Sequence, residues 1–130
     1  MKRRIAREKA LQSLFQIDVS QLERDEAIGH VLEEGEERDS FLIQLVEGTI
    51  EHLEDIDSII REHLENWSFD RIGNIDRSVL RIAVYEMKYL EEIPINVTFN
   101  EAIDLAKIFG GDESGRFVNA VLSKISKTIQ

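Results

Sequence analysis

The sequence has no cysteine and only one proline, Pro94, among its 130 residues. Without cysteine, a disulfide framework and a thiolate metal site are excluded. The three histidines do not have metal-ligand spacing and no Glu-x-x-His pair is present, so we expect no metal and no cofactor. No apolar run approaches the ~18 residues of a membrane span, and the charged N-terminus lacks the apolar segment of a secretory signal. These absences favour a cytoplasmic protein with no membrane segment.

The motifs of several enzyme classes are missing as well. Residues 111–115 read GDESG, which is not the G-x-S-x-G order of a nucleophile elbow. The glycine pair at 110–111 is not followed by the Gly-Lys-Ser/Thr of a phosphate-binding loop. Carboxylates between residues 47 and 55 could form acid–base pairs, but a solvated helix face is the simpler interpretation. We therefore expect a binding protein rather than an enzyme.

Negative charge dominates the composition, with a formal net charge of −10 at pH 7. The charge is unevenly spread, because residues 1–10 hold five basic residues and one acidic residue, whereas residues 22–65 hold three basic and fifteen acidic residues. Salt screens charges from each other beyond roughly 8–10 Å. The acidic middle of the chain therefore does not prevent the basic N-terminus from meeting a phosphate group, and such segregation is typical of a functional surface.

The spacing of apolar residues predicts an all-α protein. Strong helix formers dominate, and apolar positions recur every three or four residues. Asp39 or Ser40 could cap the third helix, and Thr98 with Glu101 matches a capping box at the start of the next-to-last one. We expect six or seven helices, among them 3–18, 25–33, 40–64 (the longest), 74–90 (the most buried), one from about 98 to 109, and a last helix that starts between 112 and 114.

The domain organisation follows from a break in the apolar pattern near residues 65–74. We expect a single domain, 1–130, made of two packed subdomains of about three helices each, over residues 1–65 and 66–130. Each half alone would be small, so we expect the two to share one core.

Basic residues crowd the start of the first helix. At 100° per residue, Arg3 and Arg7 lie about 40° apart and Arg4 lies within about 100° of Arg3, so three guanidinium groups project from one side. Cations at a helix N-terminus oppose the helix dipole. The arrangement becomes favourable when an anion binds, because free end amides and arginine side chains both bind phosphate. Together with Lys2, this cluster predicts a phosphate-binding surface; the alternative is a frayed basic terminus that only aids solubility.

Other residues could belong to the same surface or to a partner interface. Arg116 could extend the basic patch, and Phe117 could stack on an unpaired base, although its i, i+4 apolar spacing also fits the core. Tyr85, four residues before a second tyrosine, could face a partner or fill the contact between the two halves. Trp67 is expected to be a core or corner residue.

Blocks of sequence over nearly the whole chain resemble the NusB family of transcription antitermination factors. They are RRIARE at 3–8, DRSVLRIAVYE at 76–86, NEAIDLAK at 100–107 within a longer stretch from Ile93, and further matches from Phe109 to Leu122. The blocks are in family order, and only residues 20–65 carry little signature. The resemblance implies a fold of two helical subdomains. It also implies an RNA-binding adaptor that, with ribosomal protein S10 (NusE), binds boxA RNA of ribosomal RNA operons and helps RNA polymerase avoid premature termination.

The resemblance also implies roles for single residues. The RNA-binding start of the family matches Arg3, Arg4 and Arg7, and a second RNA-contacting region matches Phe117 and its neighbours. The S10-facing side matches Asp76 and the helix that follows it, which includes Arg81 and Tyr85. This chain has Ile5 where the family often has another arginine; Lys2 could compensate.

Two alternatives stay open at this point. Some RNA methyltransferases carry a NusB-like domain, although 130 residues leave no room for their nucleotide-binding domain. A structural homodimer that buries the basic end is the other alternative, and the sequence does not decide between monomer and homodimer. The RNA-binding hypothesis predicts that alanine at Arg3, Arg4 and Arg7 weakens boxA binding and leaves the melting temperature nearly unchanged. Three phosphate contacts predict a log–log salt slope near −2.

Overall fold

The computed structural model describes residues 1–129, which form seven α-helices, one short 3₁₀ helix and no strand. The all-α prediction with six or seven helices is confirmed. The predicted domain end at residue 130 lies outside the described residues, and the division at residue 65 stays a prediction. The helices are α1 (Arg3–Ser20), α2 (Arg24–Val31), α3 (Ser40–Glu51), α4 (Leu53–Glu62), α5 (Asn74–Tyr89), α6 (Ile95–Gly110) and α7 (Asp112–Ile129), with the 3₁₀ helix at Phe69–Arg71.

Several helix ends lie where local chemistry places them. The Asp39 carboxylate accepts hydrogen bonds from the amides of Phe41 and Leu42, the second and third residues of α3, each at 3.1 Å, so Asp39 is the cap of the two candidates. Gly111 ends α6 with φ at +89°, a conformation that glycine adopts without a steric penalty. Pro94 directly precedes α6, where its fixed φ favours entry into a helix.

The expectation of one long third helix is wrong. The apolar rhythm continues from residue 42 to 64, but the backbone breaks at His52, where φ is −105° and ψ is 22°. The result is two helices, α3 and α4, of 12 and 10 residues. The longest helices are α1 and α7, with 18 residues each among those described.

The predicted capping box at Thr98 is also wrong. Helix α6 begins one turn earlier, at Ile95, so Thr98 lies inside the helix and is buried. Its hydroxyl donates to Glu86 Oε1 at 2.8 Å. A buried carboxylate needs hydrogen-bond donors, and this need takes the threonine side chain away from the helix end.

The core is organised around α5. Its residues 78–87 are all buried, which confirms the expectation that this helix is the most enclosed. It packs against α1, α3 and α4, which precede it in the sequence, and against α6 and α7, which follow it. The buried apolar side chains of all seven helices form one cluster, so the expected shared core is present.

Two further features concern residues 1–129 only. In this range no helix is both long and apolar enough to cross a membrane. The same residues contain no group of three or more His, Asp or Glu side chains placed to hold a metal ion.

Candidate nucleic-acid interface

The first turn of α1 carries the exposed cations of the N-terminus. Lys2, Arg3 and Arg4 are all exposed, and no acidic side chain lies in this turn. The Arg3 guanidinium carbon lies 4.3 Å from the centroid of the Phe41 ring, a cation–π distance. This contact fixes the side chain without neutralising its charge, so Arg3 remains available to an anion.

Arg4 is exposed but already has carboxylate partners. Its Nη2 lies 2.9 Å from Glu101 Oε2 and also donates to Asp104, both on α6. The hydrogen bond and charge of Glu101 raise the pKa of Arg4 above its usual value. The Arg4 side chain is 51% exposed, and exposed pairs of this kind are weak because water and salt screen them. A phosphate can therefore compete with these carboxylates for Arg4.

Arg7 lies one turn further and is buried. Its Nε and Nη2 donate to the two carboxylate oxygens of Glu86 at 2.8 and 2.7 Å, and Thr98 donates to the same carboxylate. Burial lowers the pKa of Arg7, but the hydrogen bond and charge of Glu86 outweigh it, so the net shift is upward. The pair links α1 to α5 and holds α6 through the threonine.

The expectation that three free guanidinium groups project from one side of α1 is therefore wrong. Arg7 points into the protein, because Glu86 on the central helix needs a buried counter-charge. The expectation that alanine at all three arginines would leave the melting temperature unchanged needs the same correction. Substitution of Arg7 would strand a buried carboxylate, so only Arg3 and Arg4 can test binding without a change in stability.

Phe117 lies at a second place, on the first turns of α7. It is half-buried, and its ring meets Trp67 edge to face, with centroids 6.2 Å apart and planes at 75°. The two rings line an open cavity of about 260 Å³. The tryptophan occupies a corner as expected, but it is 58% exposed rather than part of the core.

Asp76 lies in the same cavity, at the start of α5. Burial is the main cause that raises the pKa of its carboxyl; a hydrogen bond from Ser114 lowers it and the charge of Glu113 raises it. Arg116 is exposed on α7 next to Phe117. The cavity is therefore lined by two aromatic rings and by the carboxylates of Asp76 and Glu113.

Helix α6 connects the two places. Asp104 contacts Arg4, and Gly110, six residues later, lines the aromatic cavity. Six residues of α-helix rise about 9 Å. Lys107 is exposed between these two positions. The basic start of α1 and the aromatic cavity therefore both contact the same helix, about two turns apart.

Arg81 and Tyr85 lie inside the protein. Arg81 donates to both carboxylate oxygens of Asp57 at 2.8 and 2.9 Å, and its Nη1 lies 3.5 Å from Asp18. Tyr85 packs directly on Gly48, where any side chain would overlap its ring. Both residues connect α5 to helices that precede it in the sequence. Both are buried, so neither is presented on the surface as a partner contact.

A groove of about 490 Å³ includes Ile75, the residue before Asp76, and was not anticipated from the sequence. Phe15, Ile75 and Phe109, all half-buried, line it together with Leu11. The side chains come from α1, α5 and α6, which are far apart in sequence. The only local signal is that Phe15 lies at the edge of the apolar face of α1.

Comparison with known proteins assigns a family to this architecture. The model of the NusB family matches residues 4–127. A curated protein from Bacillus subtilis, transcription antitermination protein NusB, is 58% identical over 130 residues, covering 100% of this chain and 98% of the relative. The solved structure of NusB from T. maritima superposes with a TM-score of 0.89 at 35% identity, covering 98% of this chain and 92% of that one. A crystal structure of antitermination factors NusB and NusE in complex with dsRNA superposes with a TM-score of 0.87 at 35% identity, covering 97% and 96%.

Proposed function

Because this chain belongs to the NusB family, we propose that it is a cytoplasmic transcription antitermination factor that binds RNA together with NusE, ribosomal protein S10. It is a non-enzymatic adaptor, in keeping with its relatives, which are named as antitermination proteins. Its RNA is the boxA element of ribosomal RNA operons. The complex joins elongating RNA polymerase and suppresses premature termination.

The exposed first turn of α1 is the observation that carries the RNA-binding role. Lys2, Arg3 and Arg4 project from an otherwise acidic chain with a net charge of −10. Cations beside free helix-end amides form a site for phosphate. Arg7 supports this site from below, because its pair with Glu86 fixes the helix that carries the other two arginines.

The second RNA contact is Phe117 with Arg116. A half-buried phenylalanine at the mouth of an open cavity offers a ring face to an unpaired base. The exposed guanidinium beside it is placed to bind the phosphate of the same nucleotide. Base contacts at one end of α6 and phosphate contacts at the other would fix the direction of the strand.

NusE docks in the groove that Phe15, Ile75 and Phe109 line. The family resemblance puts the S10-facing side at Asp76 and the helix after it, but Arg81 and Tyr85 on that helix are buried. The accessible part of the S10-facing side is the start of α5, where Ile75 lines the groove together with Phe15 and Phe109. Apolar rings at the centre of a groove are typical anchors of a protein interface. A strongly acidic chain also attracts a basic partner, which would add positive surface for the RNA.

Titration of labelled boxA RNA with and without NusE tests the RNA-binding role. We expect weak binding by this chain alone, tighter binding when NusE is present, and an affinity that falls as salt rises. A scrambled RNA of equal length is the control. Binding without salt dependence, or equal binding of the scrambled RNA, would contradict the proposal.

The docking groove is tested without RNA. We expect Phe15→Glu to weaken NusE binding at least about tenfold, because a charge would enter the apolar centre of the interface. Val97→Glu is the control, since Val97 is an exposed apolar residue on α6 that does not line the groove. Calorimetry measures the affinities, and circular dichroism checks that both variants fold. Equal losses in the two variants would place NusE elsewhere.

A further inference from the structure

Arg4 presents two edges of its guanidinium group to α6, and they are used differently. Its Nε and Nη2 both donate to Glu101 Oε2, at 3.2 and 2.9 Å, so Glu101 holds the edge that these two nitrogens form. Nη2 carries a second hydrogen, on the edge that it shares with Nη1, and this one is left for the hydrogen bond to Asp104. Within residues 1–129, Arg4 Nη1 has no hydrogen-bond partner. One edge of the guanidinium group is therefore filled, and the other is only half used.

The Glu101 carboxylate is also held from the core side. Its other oxygen, Oε1, lies 3.6 Å from Nη1 of the buried Arg7, so Glu101 bridges an arginine of the surface and an arginine of the core. The hydrogen bond and the charge of Glu101 are the two largest causes that raise the pKa of Arg4. Displacement of Glu101 would remove a counter-charge from both arginines at once. This carboxylate therefore stays in place when an anion approaches Arg4.

Asp104 is held much less firmly. Its side chain is 49% exposed, and in the part of the chain that the structure describes its carboxylate pairs with Arg4 alone. Its hydrogen bond and charge come last among the causes that shift the pKa of Arg4. Exposed ion pairs are weak, and a phosphate offers oxygens to Nη1 and Nη2 together, whereas Asp104 meets only Nη2. A phosphate can therefore displace Asp104 from this edge and leave Glu101 where it is.

We propose that Glu101 is a positioning residue that aims Arg4 at an RNA phosphate, and that Asp104 is an internal competitor that occupies the phosphate position when RNA is absent. The inference rests on the proposed RNA-binding function and gives opposite roles to two acidic residues one turn apart on α6. A guanidinium group already held along one edge loses less conformational freedom when a phosphate binds the other. Net charge alone would give both carboxylates effects of the same sign, so the two signs test the proposal.

Alanine at each position separates the two roles. Labelled boxA RNA is titrated with NusE present, and anisotropy gives the affinity. We expect Asp104→Ala to raise the affinity about two- to fivefold, because the competitor is removed. We expect Glu101→Ala to lower it about threefold, because Arg4 then has to be ordered by the RNA itself. Glu101→Gln keeps an acceptor oxygen for Arg4 and should bind at least as well as wild type. Glu91→Ala removes the same charge from an exposed turn and is the control. Equal rises for Glu101→Ala and Asp104→Ala would overturn the proposal.

The same substitutions in an Arg4→Ala background show whether the effects pass through this arginine. Both effects should disappear, since no guanidinium group is left to position or to cover. Effects that persist in this background would contradict the proposal, and melting temperatures check that every variant folds. If Arg4→Ala binds boxA RNA as tightly as wild type, the inference fails while the RNA-binding role stands. If no RNA binds even with NusE present, the proposed function fails as well.

Discussion

Arg4 and Arg7 lie three residues apart on α1, yet their side chains are 51% and 4% exposed. Arg4 meets carboxylates at the surface, where water and phosphate can compete for it. Arg7 meets Glu86 in the core, where nothing else can replace it. The first turn of the helix is therefore suited to binding, and the second turn holds the position of the first. A basic cluster in a sequence can contain residues of both kinds.

The largest expected effect of this difference is a loss of stability when Arg7 is replaced. We expect Arg7→Met to lower the free energy of unfolding by about 3–5 kcal/mol, because it leaves the Glu86 carboxylate buried and unpaired. Urea unfolding measures the change. Arg4→Met should unfold near the wild-type midpoint. A second variant that also replaces Glu86 by leucine should recover part of the loss, since no charge then stays unpaired. Equal midpoints for Arg7→Met and wild type would show that the buried pair is unimportant.

Tyr85 offers a similar test of the interior. A methyl group at Gly48 would overlap the ring of Tyr85, so we expect Gly48→Ala to cost about 1–3 kcal/mol through forced repacking. Gly29→Ala is the matched control, because Gly29 lies in helix α2 with open space around its Cα. That variant should be neutral or gain up to about 1 kcal/mol, as alanine favours a helix. Thermal unfolding separates the two, and an unchanged melting temperature for Gly48→Ala would mean that Tyr85 moves easily.

The structure shows which of these contacts a sequence can and cannot reveal. Helix ends at Asp39 and Gly111 were predictable because each depends on the chemistry of a single residue. The start of α6 after Pro94 was placed one turn too late. The burial of Arg7 could not be predicted from the sequence, because its partner Glu86 lies 79 residues away in the chain. The break at His52 has no glycine or proline to mark it, and the apolar rhythm runs through it unchanged.

The aromatic cavity was partly foreseeable from the sequence, whereas the groove was not. Phe117 was identified as a base-stacking candidate from its position, and the cavity beside it fits that role. The exposure of Trp67 could not be deduced, since a tryptophan after a helix end fits a core corner equally well. The groove with Phe15 and Phe109 arises only when α1 and α6 meet on α5.

A smaller effect should follow from the carboxylates that hold Arg4. Glu101→Gln together with Asp104→Asn frees the guanidinium, so we expect RNA affinity to rise by about two- to fivefold. Glu91→Gln with Glu92→Gln removes the same charge from an exposed turn away from Arg4 and serves as the control. Fluorescence anisotropy with boxA RNA and NusE gives the affinities. An equal rise in both variants would reflect net charge alone.

The smallest expected effect is a pH dependence at Asp76. Burial raises the pKa of this carboxyl in the folded state, so the folded protein holds the proton more tightly than the unfolded chain. Its contribution to stability is therefore greatest below the unfolded pKa, about 3.9, and is lost as pH rises through the folded pKa. We expect Asp76→Asn to be more stable than wild type at pH 7, with a difference that shrinks as the pH is lowered. A difference that grows on acidification would contradict this sign.

The most direct test of the account is the salt dependence of boxA binding by an Arg3→Ala, Arg4→Ala variant with NusE present. Loss of two phosphate contacts should make the log–log slope less negative by about 1.4 and weaken binding, with no change in melting temperature. Arg24→Ala with Arg38→Ala removes two exposed cations from the acidic part of the chain and is the control. If the Arg3 and Arg4 variant keeps the wild-type slope and affinity, the first turn of α1 does not hold RNA.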